Sequence, residues 1–199
     1  MIRRTQFALV AAAAGMARLA CSIQIPSLQF GPDIQIAEPG EVEVGSTQTE
    51  SIRIPATGDR TSLDLEFGGG KIRILGGGQD LVSGTATYNV AELKPVIEAS
   101  GSSFRLRNGH IERIPGGRGD IVNTWELKLG LDPIDLTIDL GAADAEMDLG
   151  GLNLTQLDIH TGASDLQLGF SEPDKSPMGP LTVLAGAARL DGQRRRLRA

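Results

Sequence analysis

Beyond residue 50, apolar and polar residues alternate with a period of two. Ile52-Arg-Ile54, Leu63-Asp-Leu-Glu-Phe67, Lys71-Ile-Arg-Ile74, Thr85-Ala-Thr-Tyr88 and Phe104-Arg-Leu-Arg107 each follow this rule. Such alternation turns one face to a core and the other to water, which predicts short half-buried strands. Gly68-Gly-Gly70 and Gly76-Gly-Gly78 bound or separate these runs, and Gly68-Gly-Gly70 reads as a hairpin or bulge. Between them, Val90 to Leu93 allows one helical turn that Pro95 stops, and Asn108-Gly109 signals a tight turn. Residues 114–123, with Pro115 and three glycines, read as an exposed loop. Thr124-Trp-Glu-Leu-Lys-Leu129 resumes the alternation, with Trp125, Leu127 and Leu129 on one face.

The last third of the chain repeats one frame. Leu136-Thr-Ile-Asp-Leu-Gly141-Ala-Ala-Asp144, Leu157-Asp-Ile-His-Thr-Gly162-Ala-Ser-Asp165 and Leu181-Thr-Val-Leu-Ala-Gly186-Ala-Ala-Arg189 each place a strand, a Gly-Ala-small turn and a second strand in order. The glycines lie 21 and 24 residues apart, so each copy is one supersecondary unit that must stack on its neighbours to bury its apolar side. Ile134, Leu136, Ile138 and Leu140 face one way, and after the turn Ala145, Met147 and Leu149 face inward. The fold class that follows is all-β, with stacked short strands forming a β-solenoid or a rolled sheet. Its terminal rungs require caps, because an edge strand exposes unpaired backbone groups.

Composition narrows the function. Aromatic residues make up 4% of the chain, with one Trp and one Tyr, too few for a sugar-stacking or base-stacking platform. Between Cys21 and Gly192 the chain carries twelve basic and 25 acidic residues, a formal charge of −13. That surface repels nucleic acid, so no nucleic-acid partner is expected.

Arg3 and Arg4 precede the apolar centre Phe7 to Gly15, and small residues follow, the layout of a bacterial export signal over residues 1–20. Cys21 is the only cysteine, so it forms no internal disulfide. Its position after Leu19-Ala20 resembles a lipoprotein lipobox, with Arg18 standing where an apolar residue is usual. This resemblance implies a lipid-attachment site at Cys21, and several acyl chains there would hold the protein stably to a membrane; the alternative is a secreted form cut after Ala17 or Ala20. The paired arginines also resemble a twin-arginine signal, with Gln6 and Phe7 shifting the expected aromatic by one place. Residues 21–49, with Pro26, Pro32 and Pro39, read as a spacer after the anchor, residues 50–191 as the β-repeat domain, and residues 192–199 as a basic tail.

The repeated Leu-x-Ile-x-x-Gly-Ala-small-Asp units, Phe67-Gly-Gly-Gly-Lys-Ile, Gly84-Thr-Ala-Thr-Tyr-Asn89, Thr124-Trp-Glu-Leu and Leu149-Gly-Gly-Leu-Asn-Leu154 together resemble the bacterial toast-rack family. That family is related to the C-terminal domain of cell-wall-active-antibiotic response proteins. The resemblance spans roughly residues 50 to 190 and implies a surface-exposed, non-catalytic β-domain with no catalytic residues to carry over. The family pattern leads to another apolar stretch after Leu190, where this chain has Gly192-Gln-Arg-Arg-Arg-Leu-Arg-Ala199. A final edge left open there would favour self-association.

Candidate chemistry is sparse. Asp144 and Asp165 occupy equivalent places in successive units, where stacked carboxylates hold calcium, act as an acid and base on polysaccharide, or accept bonds from local amides. The last role is the simplest, since Arg189 replaces Asp in the third copy. His110 and His160 lack a second ligand at metal spacing and read as solvated side chains. No phosphate loop or nucleophile elbow is present. The sequence therefore assigns no catalytic, cofactor or metal residue. It points to an exported, lipid-anchored envelope protein that binds or scaffolds an envelope protein or glycan, in adhesion or envelope-stress sensing. The alternative is an extracellular polysaccharide-acting enzyme that uses Asp144 and Asp165.

Overall fold

The computed structural model describes residues 44–108, 120–175, 179–187 and 189–194. The export signal, Cys21 and His110 lie outside these residues. Eleven strands follow in order: β1 (Gln48–Ile54), β2 (Thr61–Leu75), β3 (Val82–Tyr88), β4 (Pro95–Ser100), β5 (Ser103–Asn108), β6 (Asn123–Leu129), β7 (Pro133–Asp148), β8 (Asn153–Thr161), β9 (Asp165–Phe170), β10 (Leu181–Ala185) and β11 (Arg189–Arg194). One 3₁₀ turn, Ala91–Leu93, precedes β4, and Pro95 opens that strand. All eleven strands belong to one hydrogen-bonded sheet, in agreement with the all-β, rolled-sheet expectation.

The sheet is folded along a line that crosses its central strands. In β2 the inward residues are Thr61, Leu63, Leu65 and Phe67, and beyond Gly68–Lys71 they become Ile72 and Ile74. In β7 they are Ile134, Leu136, Ile138 and Leu140, and then Ala143, Ala145 and Met147. Inward parity thus switches from odd to even in β2 and from even to odd in β7, the signature of a bend that swings one strand across two faces of a core. Gly68–Gly70 is accordingly a corner inside an unbroken 15-residue strand rather than a hairpin. Gly141-Ala142-Ala143 is a corner inside a 16-residue strand rather than a turn between two. The parallel register between β2 and β7 runs from Thr61↔Ile134 to Leu75↔Asp148, so both strands bend at the same place.

Each rung has two arms. On the first side of the corner the order is β4-β5-β2-β7-β8-β10, and on the second it is β1-β3-β6-β2-β7-β9-β11. All neighbours are parallel except β4 with β5, β1 with β3 and β3 with β6. The segment between β2 and β7 therefore supplies a rung of its own, β5 and β6, on the outer side of β2. Asn123, expected in a loop, opens β6 and is buried, because Thr124 begins a five-residue parallel register with Lys71–Leu75.

Stacking builds inward columns. Leu63, Leu136 and Leu157 form one, Leu65, Ile138 and Ile159 another, and all six are at most 1% exposed. On the second side Trp125, Ile72, Ala145 and Leu166 form a third column. Trp125 is fully buried and meets Phe67 edge-on, with ring centroids 5.2 Å apart and planes at 65°. Truncating one of these residues, as in Ile138→Ala, removes contacts that a rigid ladder cannot close around.

At the corner the rungs approach backbone to backbone. A Cβ on Gly141 would lie 2.0 Å from the Gly68 carbonyl oxygen, whereas a Cβ on Gly68 would meet nothing within 4 Å. Where the ladder is interrupted, side chains take over its hydrogen bonds. Ser164 Oγ donates to the Gly141 carbonyl at 2.9 Å and accepts from the Ala143 amide at 3.3 Å. Asn123 Nδ2 donates to the Gly69 carbonyl at 2.6 Å, and the Gly68 amide donates to Asn108 Oδ1 at 3.3 Å. Two substitutions separate these roles. Gly141→Ala is expected to cost about 1–3 kcal/mol through forced separation of the rungs. Gly68→Ala is expected to be neutral or to stabilise by about 0.4–1 kcal/mol by stiffening the unfolded chain. Urea denaturation of both variants checks the contrast.

Candidate functional site

A groove of about 850 Å³ runs along the corner on the first-arm side, a size within the usual range of ligand sites. Its floor is the row Gly68, Gly141, Gly162 and Gly186. One outward row from five adjacent strands flanks it, Arg107, Glu66, Asp139, His160 and Leu184, which register as neighbours across β5, β2, β7, β8 and β10. The strand alternation places these side chains outward, and the parallel ladder aligns them at the strand spacing of about 4.8 Å.

Charges in and beside the row are mostly paired across rungs. Arg105 Nε lies 3.1 Å from Glu66 and its Nη2 3.5 Å from Asp64, and Arg107 Nη2 lies 2.7 Å from Glu98. His160, expected as a solvated outward side chain, also lies with Nδ1 2.8 Å from Asp139 Oδ1, because the register sets it directly beside that carboxylate. Both side chains remain nearly half exposed. Leu184, 59% exposed, closes the row on the terminal strand β10.

The register also places Asp144 opposite Asp165, as their equivalent positions in the repeat predict. The same line contains Thr124, Lys71 and Arg189, so two carboxylates are framed by a cation position on each side. Asp144 lines a smaller hollow of about 520 Å³ with Lys71, Asn123, Thr124 and Ile121. Carboxylates that accept from main-chain amides are found elsewhere. Asp132 takes the Thr57 and Gly58 amides, Asp148 takes those of Gly150 and Ser171, and Asp174 takes those of Leu154 and Lys175. Among the described residues, no three His, Cys, Asp or Glu side chains gather as a metal-binding group. None of the helices there is long and apolar enough to cross a membrane.

Sequence reasoning missed the groove. Its floor was visible as repeated glycines, but only the corner geometry shows that they lie in one row beside His160 and Asp139.

The chain belongs to the toast-rack family. Residues 41–190 match the family described as the N-terminal domain of toast_rack, DUF2154. No curated protein matches the chain. Among solved structures, a "putative cell adhesion protein" from Clostridium sporogenes has a similar fold, with 24% identity and a TM-score of 0.59 over 74% of this chain and 68% of that one. A "putative lipid binding protein" from Parabacteroides distasonis aligns over 74% of this chain and 61% of its own at 13% identity, with a TM-score of 0.29. A "putative adhesin" from Bacteroides fragilis aligns over 78% and 99% at 8% identity, also with a TM-score of 0.29. The last two likenesses are too slight to support an argument.

The outward ion pairs predict a response to acid. Hydrogen bonding to Arg60, together with Thr155, holds the Asp135 carboxyl below its usual range. Arg53 does the same for Asp80, Lys94 and Tyr88 for Glu50, and Arg107 for Glu98. Each native carboxyl binds its proton less readily than the unfolded one. The stability this gives is present above the unfolded value, about pH 4, and is lost as pH falls through the lower native values. Thermal melts should therefore show Tm falling below about pH 4, with a smaller fall in Asp135→Asn than in the parent protein.

Proposed function

We propose that this protein is a non-catalytic binding or scaffolding module of the bacterial cell envelope. It is exported by residues 1–20, held at the membrane by acyl chains on Cys21, and contacts an envelope protein or glycan. Roles in adhesion or envelope-stress sensing fit this arrangement. The observation that carries the reading is the corner groove, where an open strip of backbone is flanked by Glu66, Asp139, His160 and Leu184. Such a strip gives an extended ligand both polar partners and apolar contact.

The test uses the full chain in its native host, with chemical cross-linking of intact cells. Gly68→Leu fills the groove from a position whose Cβ meets nothing within 4 Å, so it is expected to abolish the cross-linked partner while leaving the melt unchanged. Cys21→Ser is expected to move the protein from the membrane fraction to the soluble fraction. A partner retained by Gly68→Leu would remove the groove from the reading, and an unchanged distribution of Cys21→Ser would remove the anchor.

The register of Asp144 with Asp165 favours a second reading, a polysaccharide-acting enzyme with those residues as its acidic pair. It predicts glycan cleavage that disappears in Asp144→Asn. An intact panel of envelope and extracellular glycans, with and without calcium, would dismiss it.

A further inference from the structure

We propose that β10 is a self-pairing edge, and that two copies of this chain join there antiparallel about Val183 into one continuous sheet. Among the described residues β10 pairs with β8 alone, and no strand lies on its other side. The bonds from the Leu157 amide to the Pro180 carbonyl and from the Gly186 amide to the Thr161 carbonyl show which backbone groups face β8. By alternation Thr182 and Leu184 also face it, and the N–H and C=O groups of Leu181, Val183 and Ala185 point to the open edge.

The two strand edges at the other end of the stack are protected and this one is not. β4 begins with Pro95 and carries Glu98, and β1 carries Glu50 and Arg53. Leu181-Thr-Val-Leu-Ala185 contains no charge and no proline, the composition that fails to discourage edge pairing. Leu181 extends the inward column Leu63-Leu136-Leu157, and Val183 extends Leu65-Ile138-Ile159. Leu181 is nevertheless 45% exposed, because no rung among the described residues covers the columns beyond β10.

The same strand from a second copy meets these requirements. A two-fold axis through Val183 sets it opposite itself, Leu181 opposite Ala185, and Thr182 opposite Leu184. The first two kinds of pair join residues whose backbone groups point to the open edge, so each can exchange both of its hydrogen bonds. Inward residues meet inward residues, and no charge is buried. An axis perpendicular to the sheet closes the pair, which ends the assembly at two chains.

Sedimentation of the full chain is expected to give twice the mass of one chain. Val183→Pro, which removes an edge donor but no bond to β8, should return it to the mass of one chain with the far-UV spectrum unchanged. Leu184→Lys, an outward change that leaves the core untouched, should do the same and serves if the proline variant fails to fold. In a Cys21→Ser background, Val183→Cys should give a disulfide-linked dimer on mild oxidation, since opposed hydrogen-bonded residues lie about 5.5 Å apart, within disulfide reach. Ala185→Cys should cross-link only when mixed with Leu181→Cys. A parent protein with the mass of one chain, a dimer that survives both Val183→Pro and Leu184→Lys, or equal cross-linking at residues 183 and 185 would each overturn the proposal.

Discussion

A parallel ladder can turn a corner only if every strand turns at the same residue. Hydrogen bonds between adjacent rungs run along the stacking direction, so a rung that bent one residue late would lose its partners and reverse the facing of every side chain beyond. Gly141, with Gly162 and Gly186 stacked on it, makes the shared bend possible. The Cα of Gly141 lies against the Gly68 carbonyl so closely that no side chain fits. From this constraint follow the switch of inward parity in β2 and β7, the unbroken inward columns on both sides, and the open strip outside the bend.

Much of this architecture was legible in the chain. The period-two runs marked strands, and the repeated Leu-x-Ile-x-x-Gly unit marked three rungs and their register, including Asp144 beside Asp165. The first complete rung was not legible. It comes from β5 and β6, which are separated in sequence and lack the repeat, and parallel partners far apart in the chain leave no local mark. Gly-Ala-small read as a turn because a turn and a corner require the same backbone freedom. Only the neighbouring strand, continuing its hydrogen bonds past Gly141, decides between them. Asn123 and Ser164 were missed for a related reason. Their value lies in bonds to Gly69 and Gly141, partners that the corner creates.

The outward surface follows the same geometry. Alternation sends every second side chain to water, and the ladder lines them up in rows that cross the rungs. A residue's neighbour is therefore its registered partner in the next rung more than the residue next to it in sequence. This is why His160 meets Asp139, 21 positions away, and why Arg105 reaches both Asp64 and Glu66. Pairs of this kind limit repulsion in an acidic domain while contributing little individually at such exposure. Family membership agrees with the picture, since the matched segment covers the rungs and their corner.

Trp125 is the only tryptophan in the chain, and it lies where the rung built from the intervening segment joins the repeat. Its indole is sealed from water against Phe67, and its Nε1 has no hydrogen-bond partner among the described residues. The protein therefore contains a single-site optical reporter at a structural seam. Its emission belongs at the blue end of the tryptophan range while β6 is docked on β2. It would shift red if that seam opened, even with the stack from β7 onward intact. Partial opening and complete unfolding thus become distinguishable by light from one residue, with no label introduced.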